Sequence, residues 1–435
     1  MKEFDEKLVN KLNDFRLFGI PQYIDKISLL CVPLDDLNSR YASVRQVGKG
    51  IRDFFKNELV QKYKYHYSIS NDNKMLLWYG TYWYRGDHYK AFESFSSQFP
   101  YSDFVRAEKL DKPVYHPFRV ISGIGLLLVW SIQSLTQGFS LRNLLYFLPF
   151  LKVAQDSDKS LKKINPSKYK LFVVYSDLSP DENCLVQYFN KEGIDTATLQ
   201  HGAFSIKKSR EKYRFEGIQY IYSKSKYFLT WNQYTVDMVN NAGYDTKNYV
   251  VLGMPKYINF ISENLKQTEM KKGVFGVLLN VYAPDLDEQN KKMIKVANEI
   301  AERLNCKYVV RYHPTMDNKT YENLYSERFL EVDKTKTIAD HASSVDFTIL
   351  GSSSALIELI FLNHPTFRLK TGDDDYFSDI PFGYFSTAEE FTELYNDTSK
   401  LDSERSKIFE YLCTTYNIKE NYDNFFRSKL ALNEN

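Results

Sequence analysis

The chain has 435 residues, which is enough for two or three domains of ordinary size. Hydrophobic residues make up 43% and charged residues 26%, a globular composition, and 57 Lys and Arg against 55 Asp and Glu leave a net charge of only +2. A chain this close to neutral lacks the basic excess of most nucleic-acid-binding proteins, so we expect no nucleic-acid partner.

The amino-terminal residues are charged and carry no apolar core of a secretory signal, which predicts a cytoplasmic protein. The four cysteines, Cys31, Cys184, Cys306 and Cys413, form no CxxC pair. Their spacing therefore predicts neither a zinc cluster nor a disulfide scaffold, and free thiols agree with a cytoplasmic location. We expect no metal and no cofactor.

One segment, residues 118–151, is strongly apolar. No charged residue occurs at 120–141, but the most apolar part, 120–132, is about 13 residues long, shorter than the roughly 20 that cross a bilayer. A core helix and a helix lying at a membrane interface are both open, and Pro149 with Lys152 disfavours a span. We expect a membrane-associating segment that holds the protein peripherally on the inner face of the plasma membrane.

The first 150 residues resolve no further than a strand within 74–84, whereas from residue 168 strands alternate with helices. The first series predicts strands at 170–176, 196–200, within 219–231 and at 248–253, and helices at 181–193 and 232–243. A polar, basic connector at 254–272 separates it from a second series. That series predicts strands at 273–280, 307–312, 329–333, 346–350 and 365–369, and helices within 287–305 and at 338–344 and 355–362.

This alternation predicts an α/β fold with two Rossmann-like domains, each with a mostly parallel sheet. We place the first domain at 1–255, the second at 256–385, and a set of helices that pack back across both at 386–435.

Chemically active side chains follow two predicted strands of the first series. Because ligands of open α/β sheets bind beyond the carboxyl ends of the strands, Asp177, Glu182, His201 and Gly202 are candidate site residues. Histidine side chains ordinarily titrate near neutral pH, so His201 is the first candidate for a general base, with Asp177 second. Glu182 and Gly202 are candidates on the acceptor side, and a capping role is the alternative for His201. The basic run at 207–214 is either a solvated loop or an anion-contacting one.

The second series carries groups that suit a phosphate. A strand that stops at Gly-Ser-Ser-Ser and restarts as a helix leaves free N–H groups beside three hydroxyls. An arginine and a histidine on one face of a neighbouring strand end would clamp the anion, and a glutamate one helical turn on could accept hydrogen bonds from ribose hydroxyls. Ordinary caps and a packed histidine are the alternatives. The predicted donor-site residues are Arg311, His313, Gly351, Ser352, Ser353, Ser354 and Glu358.

The order of LGMP, the His-Gly turn in LQHGAFS, RYHP and GSSSALIE resembles that of GT-B glycosyltransferases of bacterial surface-polysaccharide assembly. The pattern, over residues 168–370, is similar to that of sialyl- and polysialyltransferases, Kdo transferases of capsule assembly and teichoic-acid glycerophosphotransferases. The resemblance implies two Rossmann-like domains facing a cleft, with a nucleotide-sugar donor bound by the second. It also implies transfer of the sugar to a hydroxyl of a lipid-linked or polysaccharide acceptor.

Three alternatives remain open from the sequence. The first is a polyol-phosphate transferase that uses a CDP-linked donor, as in teichoic-acid synthesis. The second is a nucleotide-sugar epimerase, which shares the two-domain fold and needs no acceptor. The third is a non-catalytic protein that binds a nucleotide sugar.

Overall fold

The computed structural model describes residues 8, 11–12, 14–30, 41–80, 86–161, 163–202, 223–260, 273–280, 284–313, 316–317, 319–335, 337–370, 377, 380, 382–413 and 416–430. The chain divides into two compact units. Unit 1 comprises Met1–Thr230, Val236–Asn259 and Asn417–Asn435, and unit 2 comprises Trp231–Thr235 and Phe260–Tyr416.

Unit 1 contains a seven-stranded sheet of order β1-β3-β2-β4-β5-β6-β7, in which only β1 and β3 pair antiparallel. Central strands such as β2 are buried at every residue, as a parallel strand covered on both faces must be. The strands are β1 (Val60–Ser68), β2 (Met75–Tyr79), β3 (Ser102–Tyr115), β4 (Leu171–Val174), β5 (Asp195–Leu199), β6 (Tyr227–Thr230) and β7 (Tyr249–Val251).

The helices of this part of the chain begin with recognisable signals. A capping box between Ser43 and Gln46 starts the second helix, and prolines open the fourth and sixth, where a missing N–H costs nothing. They are α1 (Lys26–Leu29), α2 (Val44–Leu59), α3 (Gly86–Ser96), α4 (Pro117–Thr136), α5 (Leu141–Leu161), α6 (Pro180–Lys191) and α7 (Gln233–Asn241), with a 3-10 turn at Pro166–Lys168 and another at Pro255–Tyr257.

Two of the apolar cores in the described part of unit 1 are large. One lies among α2, α4 and α5 and includes Phe54, Trp130 and Phe147. The other lies between the sheet and α6, where the Phe172 and Phe189 rings stack with centroids 4.0 Å apart. The helical core rests on residues of the first 150, the region that the sequence pattern left unassigned.

Unit 2 contains a fully parallel six-stranded sheet of order β10-β9-β8-β11-β12-β13. Its strands are β8 (Val274–Leu278), β9 (Lys307–Arg311), β10 (Phe329–Val332), β11 (Thr348–Leu350), β12 (Thr366–Leu369) and β13 (Tyr384–Phe385). Its helices are α8 (Pro284–Arg303), α9 (Ile338–Ser344), α10 (Ala355–Phe361), α11 (Ala388–Asn396) and α12 (Thr398–Leu412), with a 3-10 turn at Glu322–Leu324, and α13 (Ile418–Leu430) follows in unit 1.

The C-terminal helices that we expected at 386–435 divide between the units: 386–416 belongs to unit 2 and 417–435 to unit 1. Within unit 1, α13 packs on α3 through Phe95 and Tyr422, whose ring centroids are 4.9 Å apart. The end of α13 also meets the sheet, because Lys170 Nζ donates to the Leu430 carbonyl over 3.2 Å.

Candidate functional site

Unit 1 brings together the ends of three adjacent parallel strands. In the sheet β4 lies between β2 and β5, so Gly80, Ser176 and Gln200 follow neighbouring strands at one edge. The predicted residues Asp177, Glu182 and His201 all come from this carboxyl edge, where ligands of such sheets bind.

His201 lies next to an aromatic cluster at this edge. Its ring centroid is 6.0 Å from that of Tyr175, and Tyr175 is also 5.4 Å from the ring of His88, in the first turn of α3. Sequence reasoning missed His88, although a histidine at the start of a helix that follows a buried strand is a signal for it. The edge therefore holds two half-buried imidazoles around one tyrosine.

Glu182 hydrogen-bonds to the backbone at the ends of two strands, β2 and β4. Its carboxylate accepts hydrogen bonds from Gly80 N and Ser176 N, each over 2.5 Å, and it is buried. Burial, together with the charge of the neighbouring Asp181, raises the pKa of Glu182 well above its ordinary value. This position suits a carboxyl group that holds the ends of β2 and β4 at the carboxyl edge of the sheet.

Asp177 is fully buried, and its carboxylate holds the segment before β6. One oxygen, Oδ2, accepts from Ser223 Oγ over 2.8 Å, from the N–H groups of Lys224 (2.8 Å) and Ser225 (2.7 Å), and from Ser225 Oγ (2.7 Å). Burial raises the pKa of Asp177 and these four hydrogen bonds oppose the rise. This arrangement favours a positioning role for Asp177. Its role as a second candidate base stays a prediction.

Gly202 lies in open space. A Cβ built there meets no atom of the described residues within 4 Å, and its backbone is outside the left-handed region, so neither φ nor packing against those residues requires a glycine. The Gly202 carbonyl accepts from Gln200 Nε2 over 2.8 Å. The basic run at 207–214 lies outside the described residues.

Unit 2 has its own polar carboxyl edge. In its sheet β8 lies between β9 and β11, so Asn280, after β8, separates His313 from the Gly-Ser-Ser-Ser turn. Neighbouring strands are about 4.8 Å apart, which sets the two predicted groups about 10 Å apart across Asn280. The structure thus places the predicted donor residues at the ends of β9 and β11, on either side of the end of β8.

Arg311 is engaged within unit 2. Its guanidinium donates to the Thr335 carbonyl and to Thr335 Oγ1 over 2.6 and 2.5 Å and lies 3.4 Å from Asp333 Oδ2. The side chain is 16% exposed. Arg311 therefore holds the end of β10, and contact with a phosphate requires that these bonds yield.

The serine turn has graded exposure. Ser352 is buried, Ser353 is half-buried and accepts from Ala355 N over 3.3 Å, and Ser354 is exposed with its hydroxyl in no capping bond. The helix α10 that follows has seven residues, so its dipole is small, and Glu358 lies half-buried on it. The hydroxyls and strand-end amides, more than the helix, suit an anion here.

Asn280 was missed by the sequence, although a polar residue directly after the apolar run GVFGVLL is a signal. Gly351 permits its position, since a Cβ there would lie 3.2 Å from Asn280 Nδ2 and 3.0 Å from Met293 Sδ. Asn280 is buried, and its Oδ1 has no hydrogen-bond partner in the part of the chain that the structure describes. A buried amide oxygen in this position is a candidate acceptor for a ligand hydroxyl or N–H.

A buried polar chain underlies this edge. His341 Nδ1 lies 2.5 Å from Asp333 Oδ2, its Nε2 lies 3.2 Å from Thr348 Oγ1, and Thr348 Oγ1 lies 2.9 Å from His364 Nε2. Burial alone would raise the pKa of Asp333, but hydrogen bonds from His341 and Thr335 hold it well below its ordinary value. The chain fixes β10, α9 and β11 relative to one another.

An open pocket of about 450 Å³ lies elsewhere, at the amino edge of the first sheet, and includes Asn73, Ser102 and Asp103 in its lining. Its buried carboxylate, Asp103, is bound by Lys168 over 2.5 Å. Because ligands of open α/β sheets bind at the opposite edge, we place the candidate site at the carboxyl ends. Within the described ranges, no three His, Cys, Asp or Glu side chains are grouped to hold a metal ion.

Two parallel-sheet Rossmann-like units define an α/β protein of the GT-B type, which confirms the predicted fold class. Comparison with protein-family profiles finds no match, and comparison with curated proteins finds none.

Among solved structures, the chain is similar to S. aureus MnaA determined with UDP and to a putative UDP-N-acetylglucosamine 2-epimerase from Listeria monocytogenes. Each has 10% identity and a TM-score of 0.50, over 83% of this chain and 98% of that one. The wall teichoic acid polymerase TagF matches with 11% identity and a TM-score of 0.44, over 89% of this chain and 94% of that one. At such identities the likeness concerns the fold.

Proposed function

We propose that the protein is an enzyme that binds a nucleotide sugar and transfers its sugar to a hydroxyl of a lipid-linked or polysaccharide acceptor in cell-surface polysaccharide synthesis. The observation that carries the proposal is the placement of titratable and hydrogen-bonding side chains at the carboxyl edges of both parallel sheets. This is the edge at which open α/β sheets bind nucleotides and their substrates.

Unit 2 would hold the donor. His313 and the serine turn follow β9 and β11, on either side of Asn280 at the end of β8, which is a spacing suited to a diphosphate that lies across the end of β8. Charge that develops on the leaving nucleotide would be met by His313 and by the hydroxyls and N–H groups at 352–354. Glu358, one turn into α10, would accept from a ribose hydroxyl.

Unit 1 would supply the base. The acceptor oxygen forms a bond to the anomeric carbon, the bond from that carbon to the phosphate oxygen breaks, and the nucleotide leaves with the electron pair. His201 takes the hydroxyl proton, Tyr175 packs beside it, and His88 packs on Tyr175. Asp177 and Glu182 would be positioning residues. Asp177 holds the segment before β6, and Glu182 holds the ends of β2 and β4.

Epimerisation of a nucleotide sugar is a second candidate. It is favoured by the likeness to the Listeria structure, whose description is a putative UDP-N-acetylglucosamine 2-epimerase, and by the UDP present with MnaA. The two candidates share nucleotide-sugar binding and differ in their need for an acceptor.

The deciding experiment is a calorimetric screen of CMP-, UDP-, GDP- and TDP-linked sugars and CDP-glycerol, followed by product analysis of each binder with and without acceptor oligosaccharides. Transfer only with acceptor supports the proposal. Interconversion of the donor without acceptor identifies an epimerase, and transfer from CDP-glycerol identifies a polyol-phosphate transferase. Binding without turnover identifies a non-catalytic protein, and no binding overturns the assignment of the donor site.

A further inference from the structure

The exposed side of α4 is apolar along its whole length. Seven large apolar side chains on this helix, between 41% and 82% exposed, recur mostly three or four residues apart and so share one side: Phe118, Ile121, Ile124, Leu128, Val129, Ile132 and Leu135. By length and composition the helix could cross a membrane, and 17% of its most apolar window is buried. The helix is longer than the apolar run of about 13 residues suggested, because its polar ends are also helical.

The opposite side of α4 is bonded to unit 1. Trp130 is fully buried and its Nε1 donates to the Phe18 carbonyl over 2.9 Å, while Gln133 Oε1 accepts from Phe18 N over 2.9 Å. Near the other end, Gly123 lets Phe54 and Glu58 of α2 approach closely. A spanning orientation would break these contacts and take the polar groups into hydrocarbon, so α4 is held as a helix lying on the body of unit 1.

The cations of α2 do not adjoin the exposed side of α4. Phe54 and Glu58 of α2 contact α4, whereas the exposed cations of α2 lie on its opposite side: Arg45, Lys49, Arg52 and Lys56. Of the acidic residues on α2, Asp53 pairs with Arg52 over 3.0 Å and Glu58 is buried against Lys152 over 3.0 Å. In a chain of net charge +2 this is a local basic excess.

Exposed cations lie near the start of α4. Lys112, near the end of β3, and Arg119 are exposed there, as is Asp111 of β3, and Tyr115 is 64% exposed shortly before Phe118. Tyrosine, phenylalanine and cations around an apolar helix face are typical of helices that lie in a bilayer interface.

We propose that this face, the exposed side of α4, binds the surface of a bilayer that contains anionic lipids. The apolar side chains enter the boundary between headgroups and acyl chains, and the cations near the start of α4, Lys112 and Arg119, meet lipid phosphates.

The test is co-sedimentation of the full chain with phosphatidylcholine vesicles and with vesicles that also contain phosphatidylglycerol. We expect binding to the anionic vesicles that weakens with salt. The combined variant Ile121→Asn, Leu128→Asn, Ile132→Asn should lower the partition coefficient at least a hundredfold, and Lys112→Gln, Arg119→Gln should lower it several-fold on anionic vesicles. The matched control is Leu330→Asn, an exposed apolar residue of unit 2, which should leave binding unchanged.

Equal binding by the wild-type protein and the apolar variant would overturn the proposal. A second result would also overturn it: light scattering shows that the wild-type protein is a dimer and the apolar variant a monomer, and neither protein binds vesicles. The face would then bind a second copy of the chain. The thermal midpoint of the variant should stay near that of the wild-type protein, since its three changes are on exposed positions. Vesicle binding and nucleotide binding are read separately, so failure of the donor screen leaves this test intact.

Discussion

At the scale of single residues, the two histidines beside Tyr175 are the groups whose chemistry is most specific. His201→Asn should lower turnover by about 10²–10⁴-fold, the usual contribution of a general base, while the nucleotide dissociation constant stays within about twofold. His88→Asn should lower turnover less and alter its pH profile. The matched control is His66→Asn, an exposed histidine on β1, and an equal loss there would refute a special role for His201.

The two glycines after strand ends make a second residue-scale comparison. Gly351→Ala sets a Cβ 3.0 Å from Met293 Sδ and 3.2 Å from Asn280 Nδ2, so it should displace Asn280, lower the free energy of unfolding by about 1 kcal/mol and weaken nucleotide binding. A Cβ at Gly202 meets no atom within 4 Å in the described part of the chain, so Gly202→Ala should leave the free energy of unfolding unchanged. Urea unfolding and calorimetry measure both. Equal stability of the two variants would mean that the packing around Asn280 yields freely.

At the scale of elements, the Asp333–His341 pair joins β10 to α9. Since the pKa of Asp333 is below its unfolded value of about 3.9, the pair stabilises the fold fully above that pH and loses this contribution as the pH falls below it. Asp333→Asn should lower the free energy of unfolding by about 3 kcal/mol at pH 7, and the difference from the wild-type protein should shrink below pH 4. Urea unfolding at both pH values measures this, and a pH-independent difference would contradict it.

At this scale the strands and helices from residue 168 onward could be predicted from the sequence, and those of the first 150 residues could not. Runs such as KLFVVYS have one interpretation, because a short, wholly apolar segment bounded by polar residues fits a buried parallel strand; β4 lies within it. By contrast, β1 alternates exposed and half-buried residues at an antiparallel edge, and the long β3 ends in exposed residues. Their pairing depends on contacts distant in sequence, which periodicity does not record.

In the candidate site too, the sequence predicts some features and not others. The position of Asp177 and Arg311 at the carboxyl ends of strands was predictable, because it depends on the local sequence pattern alone. The direction of each side chain depends on other segments: Asp177 turns inward to Ser223 and Ser225, and Arg311 turns to Thr335. His88 and Asn280 were missed because their neighbours at the edge come from other strands.

At the scale of the whole molecule, the path of the chain makes unit 1 depend on its last residues. Unit 2 is inserted between two parts of unit 1, and α13 returns to seal the face of α3. Phe426 is fully buried there, with its ring 4.9 Å from that of Phe99, and Tyr101 Oη donates to Asp423 Oδ1 over 2.7 Å. The packing of unit 1 is therefore complete only when synthesis of the chain has passed residue 430.

Phe426→Ala should accordingly destabilise unit 1 by about 3–5 kcal/mol, because it opens a cavity in a packed aromatic cluster. Hydrogen–deuterium exchange should then rise in peptides of β4 and β5 while β8 and β11 stay protected. Phe361→Ala, at a fully buried position of unit 2, is the matched control and should show the reverse pattern. If both variants raise exchange equally in both sheets, the two units unfold as one, and the dependence on α13 belongs to the whole chain rather than to unit 1.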